Sequence, residues 1–196
     1  NVLLEQVNTR CLDKQLIAVT HSSFVLNKLG LDKLILLTER KTTMSLKSLS
    51  EGTYSYFKKL SGYDTLRIVL AEKPILVEGP SDELILLKVF AQQNGGRHPS
   101  SAGFDIISVA GLAAARYLEV AKLLGKSITV VRDNDGKDRA SLESRYSKVL
   151  GMSRVLFDDD TSCRTLEPQL IKSIGLDKLN TLYKLECTTD EELAEW

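Results

Sequence analysis

Cysteine is scarce in this sequence, with Cys11, Cys163 and Cys187 far apart, odd in number and without a C-x-x-C pair. Neither a disulfide framework nor a zinc knuckle can be built from them, and they read as free thiols. Long apolar runs are also missing: none approaches the ~18 residues that span a bilayer, and the opening NVLLEQVNTR has no basic stretch followed by an apolar one. A cytoplasmic address is the expectation. An excess of one charge is missing too. The 26 Lys+Arg balance the 26 Asp+Glu, which excludes a binder that grips nucleic acid by net charge alone. Local basic stretches can still guide a phosphate backbone where a carboxylate site carries offsetting cations. Internal repeats and low-complexity tracts are absent as well.

What remains is ordinary globular composition, with 43% hydrophobic and 27% charged residues in a 196-residue chain. Disordered, coiled-coil and collagenous readings drop out, and the length suffices to bury a core without staples. The first third reads strand, helix, strand: the apolar run QLIAVT, the helix-like SSFVLNKLG stopped by Gly30, then KLILLT. MSLKSL can add a strand. TYSYFKKLSGYDTLRIVLA is helical, broken at Gly62 and ended by Lys73-Pro74.

From Pro74 the pattern alternates strictly. Strands PILVE, FDIISVA, SITVVRD and RVLFD are followed by helices SDELILLKVFAQQ, LAAARYLEVAKLLG, DRASLESRYSKVLG and LEPQLIKSIG. Short, nearly continuous apolar strands alternating with amphipathic helices predict an α/β fold, a parallel sheet covered on both faces. Strands are expected near 74–78, 104–109, 127–132 and 154–157. QNGGRHPSSAG is a surface loop, and His98 within it is assigned nothing. TTDEELAEW begins a further helix capped by Thr189, and the sequence is expected to continue into a larger protein.

In such sheets ligands bind beyond the C-terminal ends of the strands, which gives polar residues there special weight. In ILVEGPSDE, Glu78 closes a strand, Gly79 permits a tight turn and Asp82 falls in the first helical turn. In TVVRDNDG, Asp133 and Asp135 follow another strand and precede a glycine; two apart in extended backbone, they are expected to face one side. Two like charges ~4 Å apart repel by roughly 4 kcal/mol at an effective dielectric near 20, and a cation is the simplest remedy. Hard Mg²⁺ takes oxygen ligands and leaves positions for water and phosphate.

VEGPSD followed about fifty residues later by VVRDNDG resembles the TOPRIM domain shared by topoisomerases, bacterial primases, recombination mediators and OLD-family (overcoming lysogenization defect) nucleases. The resemblance covers about residues 72 to 175, and ISVAGLAAARYLEVAKLLG with TLEPQL brings it closest to the OLD family. It implies a TOPRIM (Rossmann-like) domain with metal-holding, catalytic Glu78, Asp82, Asp133 and Asp135, completed by Glu167. It further implies Mg²⁺ or Mn²⁺, two ions, as cofactor, DNA as partner, and endonuclease or nickase activity. Arg132 stands where that family commonly has a small polar residue; with Lys137, Arg139 and Arg164 it is a candidate nucleic-acid contact.

QLIAVTHSSFVLNKL resembles the last strand and switch-histidine loop of ABC-type ATPases, with His21 in the position that touches the terminal phosphate of ATP. The domains implied are 1–52, an ATPase remnant; 53–71, a connecting helical segment; and 72–196, the TOPRIM nuclease domain. No G-x-x-x-x-G-K-[ST] occurs, so ATP is a ligand only of an intact protein with its ATPase portion, itself expected to be a homo-oligomer without membrane contact. Rival readings are a topoisomerase- or primase-type TOPRIM enzyme and a non-catalytic DNA-binding scaffold. A phosphoacceptor receiver domain fits poorly, since it gathers its acidic pair after the first strand. The Asp158-Asp159-Asp160 run reads as a solvated or capping turn, and Arg145 and Lys148 as a charged helix face. Neither Tyr117 nor Tyr146 has a context that marks a DNA-linked nucleophile.

Overall fold

The computed structural model describes residues 34–37, 43–59, 63–109 and 113–195, with isolated positions 9, 15, 17 and 19. His21, Cys11 and most of residues 1–52, the segment read as an ATPase remnant, lie outside the described residues. The chain divides into two compact units, Asn1–Ala71 and Glu72–Trp196.

In the first unit, strand β1 (Ile35–Leu37) pairs antiparallel with β2 (Thr43–Ser45). MSLKSL is therefore a strand only at its start: Leu46–Ser48 turn into a 3-10 helix whose cap is the Ser45 side chain, accepting from the Lys47 N–H. A serine hydroxyl at that position offers the backbone a turn in place of a ladder. Helices α1 (Glu51–Lys59) and α2 (Tyr63–Leu70) follow.

The second unit runs β3 (Lys73–Val77), α3 (Pro80–Gln93), β4 (Phe104–Ser108), α4 (Ala114–Leu124), β5 (Thr129–Val131), α5 (Arg139–Tyr146), β6 (Arg154–Leu156), α6 (Leu166–Ile174), α7 (Leu176–Tyr183) and α8 (Asp190–Glu195). Its four strands form one parallel sheet in the order β4-β3-β5-β6, the α/β fold expected from the alternation. Each strand lies within two residues of its expected ends. The pattern reading did not separate helix α7, nor the 3-10 helix Pro99–Ala102 inside the stretch read as a surface loop.

Pro74 has no N–H to give, and it stands where β3 borders β4 alone, one residue before pairing with β5 starts at Ile75. Leu76, Val77, Ile107, Ile128 and Val130 are almost wholly buried in the sheet. Helix α4 covers it with Ala114, Tyr117, Leu118 and Ala121, the i, i+3, i+4, i+7 stripe of a buried helix face. Leu142 and Tyr146 do the same from α5. Helices α6, α7 and α8 share a smaller apolar cluster of Ile171, Leu179 and Leu193, and the Thr189 hydroxyl caps α8 by accepting from the Glu192 N–H.

From β3 the chain steps outward to β4, then crosses back over β3 to β5 and on to β6. Crossovers in parallel sheets are right-handed, so the connections flanking β3 and β5 leave on opposite faces and open a crevice between the two strand ends. Among the described residues no helix is long and apolar enough to cross a membrane.

Candidate metal centre

Register builds the centre. Val77 of β3 stands beside Val131 of β5, so the next residues out, Glu78 and Arg132, emerge side by side at the crevice. The Arg132 guanidinium is almost wholly buried and lies 3.2 Å from Glu78 Oε1. It also donates to an Asp135 carboxylate oxygen, to the Tyr146 hydroxyl and, through Nε, to the Asp133 carbonyl at 2.7 Å. Arg132 is thus no surface contact for nucleic acid, which corrects the sequence expectation: its donors are turned inward on two of the site carboxylates.

Gly79 opens α3, Pro80 occupies the first turn where no N–H is needed, and Asp82 reaches back so that its Oδ2 accepts from the Gly79 N–H at 2.9 Å. One oxygen of Asp82 therefore caps the helix. Among the acidic neighbours of Asp133, Asp82 is the one that raises the Asp133 carboxyl most.

Asp133 and Asp135 both lie beyond the end of the strand, and Asp135 is not in extended backbone. Strand β5 stops at Val131, and Asp135 and Gly136 both take left-handed conformations, with φ of 54° and 72°. The turn swings Asp135 round to Arg132, while Asp133 is held by Gln169 Nε2 donating to its Oδ1 at 3.1 Å. The expected shared facing by two-residue alternation is replaced by a turn, because the αL region is open to Asp and to Gly. A Cβ at Gly136 would come within 3.1 Å of Arg164 Nε.

The turn is braced by Asn134, which is fully buried. Its amide nitrogen lies within hydrogen-bond reach of the carbonyls of Asp158, Asp160 and Cys163, and its Oδ1 accepts from the Gly136 N–H at 2.7 Å. Asn134, Gln169 and Tyr146 are the site residues that sequence reading missed. Their partners are distant in the chain, and only the Asn inside D-N-D-G, a residue type suited to bracing a turn, carried a hint of one of them.

The carboxylates sense one another. Burial pushes Glu78 upward; Arg132 pulls it down, and Asp135, Asp133 and Asp82 push it up again, leaving it above the ordinary carboxylate range. Asp133 is likewise raised by burial first, then by Asp82, with Asp135 and Glu167 adding to it and the Gln169 bond opposing. Glu167, exposed in the first turn of α6, thus faces Asp133 electrostatically. All five expected acidic residues lie in one electrostatic neighbourhood, yet among the described residues no three acidic, His or Cys side chains are already placed to hold one ion.

The other candidate residues lie around this turn. Lys137 is exposed, and Arg164 lies against Gly136. Arg139 is bound to Asp159 at 2.8 Å and Glu143 at 3.3 Å and stacks over Phe157. The aspartate run forms a capped turn: Asp158 accepts from the Asp160 N–H, and Lys172, with Ser162, holds Asp160 well below the usual carboxylate range.

No curated protein and no solved structure matches this chain. Residues 69–135, which carry β3, Glu78, Asp82, Asp133 and Asp135, match the family model described as "Overcoming lysogenization defect protein-like, TOPRIM domain".

Proposed function

We propose that the chain is the nuclease part of an ATPase-nuclease protein and hydrolyses DNA phosphodiester bonds with Mg²⁺ or Mn²⁺ ions held by Glu78, Asp82, Asp133, Asp135 and Glu167. The observation that carries this reading is the meeting of the β3 and β5 carboxylates at the crevice within the segment matched to a TOPRIM domain. TOPRIM domains bind divalent ions generally, and the residues fit such ions: the donor set is all oxygen, and burial with mutual repulsion leaves it short of positive charge. Mg²⁺ is ordinarily held through one or two carboxylates, with water and phosphate completing its shell, so no closed cage is required.

When bound, two divalent ions supply Lewis-acid stabilisation of the charge on the scissile phosphate and the leaving oxygen. Gln169 holds Asp133 and Gly79 holds Asp82, which keeps both carboxylates aimed at the crevice. Glu78, raised above the usual carboxylate range, accepts at a carboxylate oxygen the proton of the attacking water as the new phosphorus–oxygen bond forms and the ester oxygen departs. Lys137 and Arg164 stand closest to the D-N-D-G turn to meet the DNA backbone. Arg139 first has to leave Asp159.

The rival TOPRIM chemistry of strand passage needs a tyrosine supplied by a separate domain, and Tyr117 and Tyr146 are both buried, so neither of these two takes that part. The scaffold reading rests on no observation of this site. The assignment of residues 1–52 to an ATPase tail, ATP contact by His21 and homo-oligomer formation belong to the same proposal for the intact protein.

Supercoiled plasmid incubated with the chain is expected to be nicked or linearised with Mg²⁺ or Mn²⁺ and left intact with chelator. Cleavage that survives chelator would remove the metals from the chemistry. Intact plasmid under every metal would favour the scaffold.

A further inference from the structure

Arg132 divides the carboxylates into two sets. Its guanidinium is fastened by the Tyr146 hydroxyl and the Asp133 carbonyl and lies against Glu78 and Asp135, so those two carboxylates already have a cation. Asp133 has none. Its side-chain partner is the neutral amide of Gln169, and the charged groups that act on it most, Asp82, Asp135 and Glu167, are acidic. The guanidinium is also no mobile arm: its side chain is 1% exposed, and strand β5 and helix α5 anchor it from two sides.

We propose that Arg132 is a resident counter-charge that makes the two ion positions unequal, leaving the Asp82, Asp133 and Glu167 side open to a first divalent ion and holding Glu78 and Asp135 against a second. The proposal rests on the metal-dependent reading above. Physically, an ion approaching Glu78 and Asp135 meets a fixed positive charge and must share carboxylate oxygens that already accept from it. The second ion is therefore held weakly until a substrate phosphate adds negative charge. Arg132 acts through the carboxylates and is a positioning residue.

The test is titration of Mn²⁺ into the metal-free 196-residue chain, read by calorimetry and by loss of the free-ion paramagnetic resonance signal. Wild type is expected to show two classes of site, the weaker by at least about tenfold, the scale of one nearby unit charge in a partly solvated site. Arg132→Gln is expected to tighten the weaker class by about tenfold and leave the tighter one in place. Tyr146→Phe keeps the charge and the packing but loosens the anchor, and is expected to tighten the weaker class by a smaller factor. If Arg132→Gln folds, its titration decides; if it does not, that of Tyr146→Phe does. Two equal classes in wild type, or no tightening in the deciding variant, would overturn the role of Arg132 while the metal reading stands. No Mn²⁺ bound by any of the three chains would remove the metal reading, and this inference with it.

Discussion

Replacing Asp133 with Asn is expected to abolish metal-dependent plasmid cleavage, by at least about a hundredfold, while leaving the metal-free chain as stable as the parent or more so. The activity loss should exceed the ~10- to 100-fold typical of residues that only orient a ligand, because the substitution removes a proposed metal-holding oxygen. The stability direction follows from the surroundings of Asp133. Its charge is disfavoured by burial and by Asp82, Asp135 and Glu167, whereas an Asn oxygen can still accept from Gln169. Relief of about 1 kcal/mol would raise the thermal midpoint by roughly 2–4 °C in a chain of this size. Plasmid assays and thermal melts in chelator, side by side, read both. A variant that cuts at the parent's rate would reduce Asp133 to a loop residue. Asp135 is a poorer choice for this test than its place in the motif suggests, because Asp135→Ala would leave Arg132 short of an acceptor and put alanine at φ 54°.

The largest effect on stability is expected at Asn134. Truncation to Ala removes the amide donors that reach three backbone carbonyls 24, 26 and 29 residues further on, and leaves the Gly136 N–H without its acceptor. With buried unsatisfied groups costing about 1–3 kcal/mol each and partial rescue by water, a net loss of about 3 kcal/mol is expected. Equilibrium urea unfolding measures it. A loss under about 0.5 kcal/mol would mean that the turn holds its shape without the amide, as ordinary surface positions do.

These two neighbours mark the boundary of what the sequence could disclose. The sheet was legible because PILVE, FDIIS, TVV and RVL are apolar runs set between helices, and the strand-end rule then put Glu78, Asp82, Asp133 and Asp135 at one mouth. The rest hangs on contacts with no local signature. Arg132 looks like a phosphate ligand when read beside Asp133, and only the Val77–Val131 register shows that it emerges against Glu78. Tyr146 reads as helix packing, yet its hydroxyl fastens that arginine. Asn134 sits in a common loop sequence, and its acceptors belong to the aspartate turn after β6. The facing of Asp133 and Asp135 was misread because strand periodicity was carried past Val131 into a left-handed turn. Helix α7 was passed over since Gly175 ends α6 and opens α7 without an intervening loop.

The most direct measurement of the central claim is anomalous scattering from crystals of the chain soaked in Mn²⁺. The account predicts a peak at the C-terminal ends of β3 and β5, within coordination distance of Asp82 and Asp133, that vanishes in Asp133→Asn and is joined by a weaker one near Glu78 and Asp135 at higher Mn²⁺. A strong peak elsewhere on the chain, or none at this crevice at saturating Mn²⁺, would contradict it.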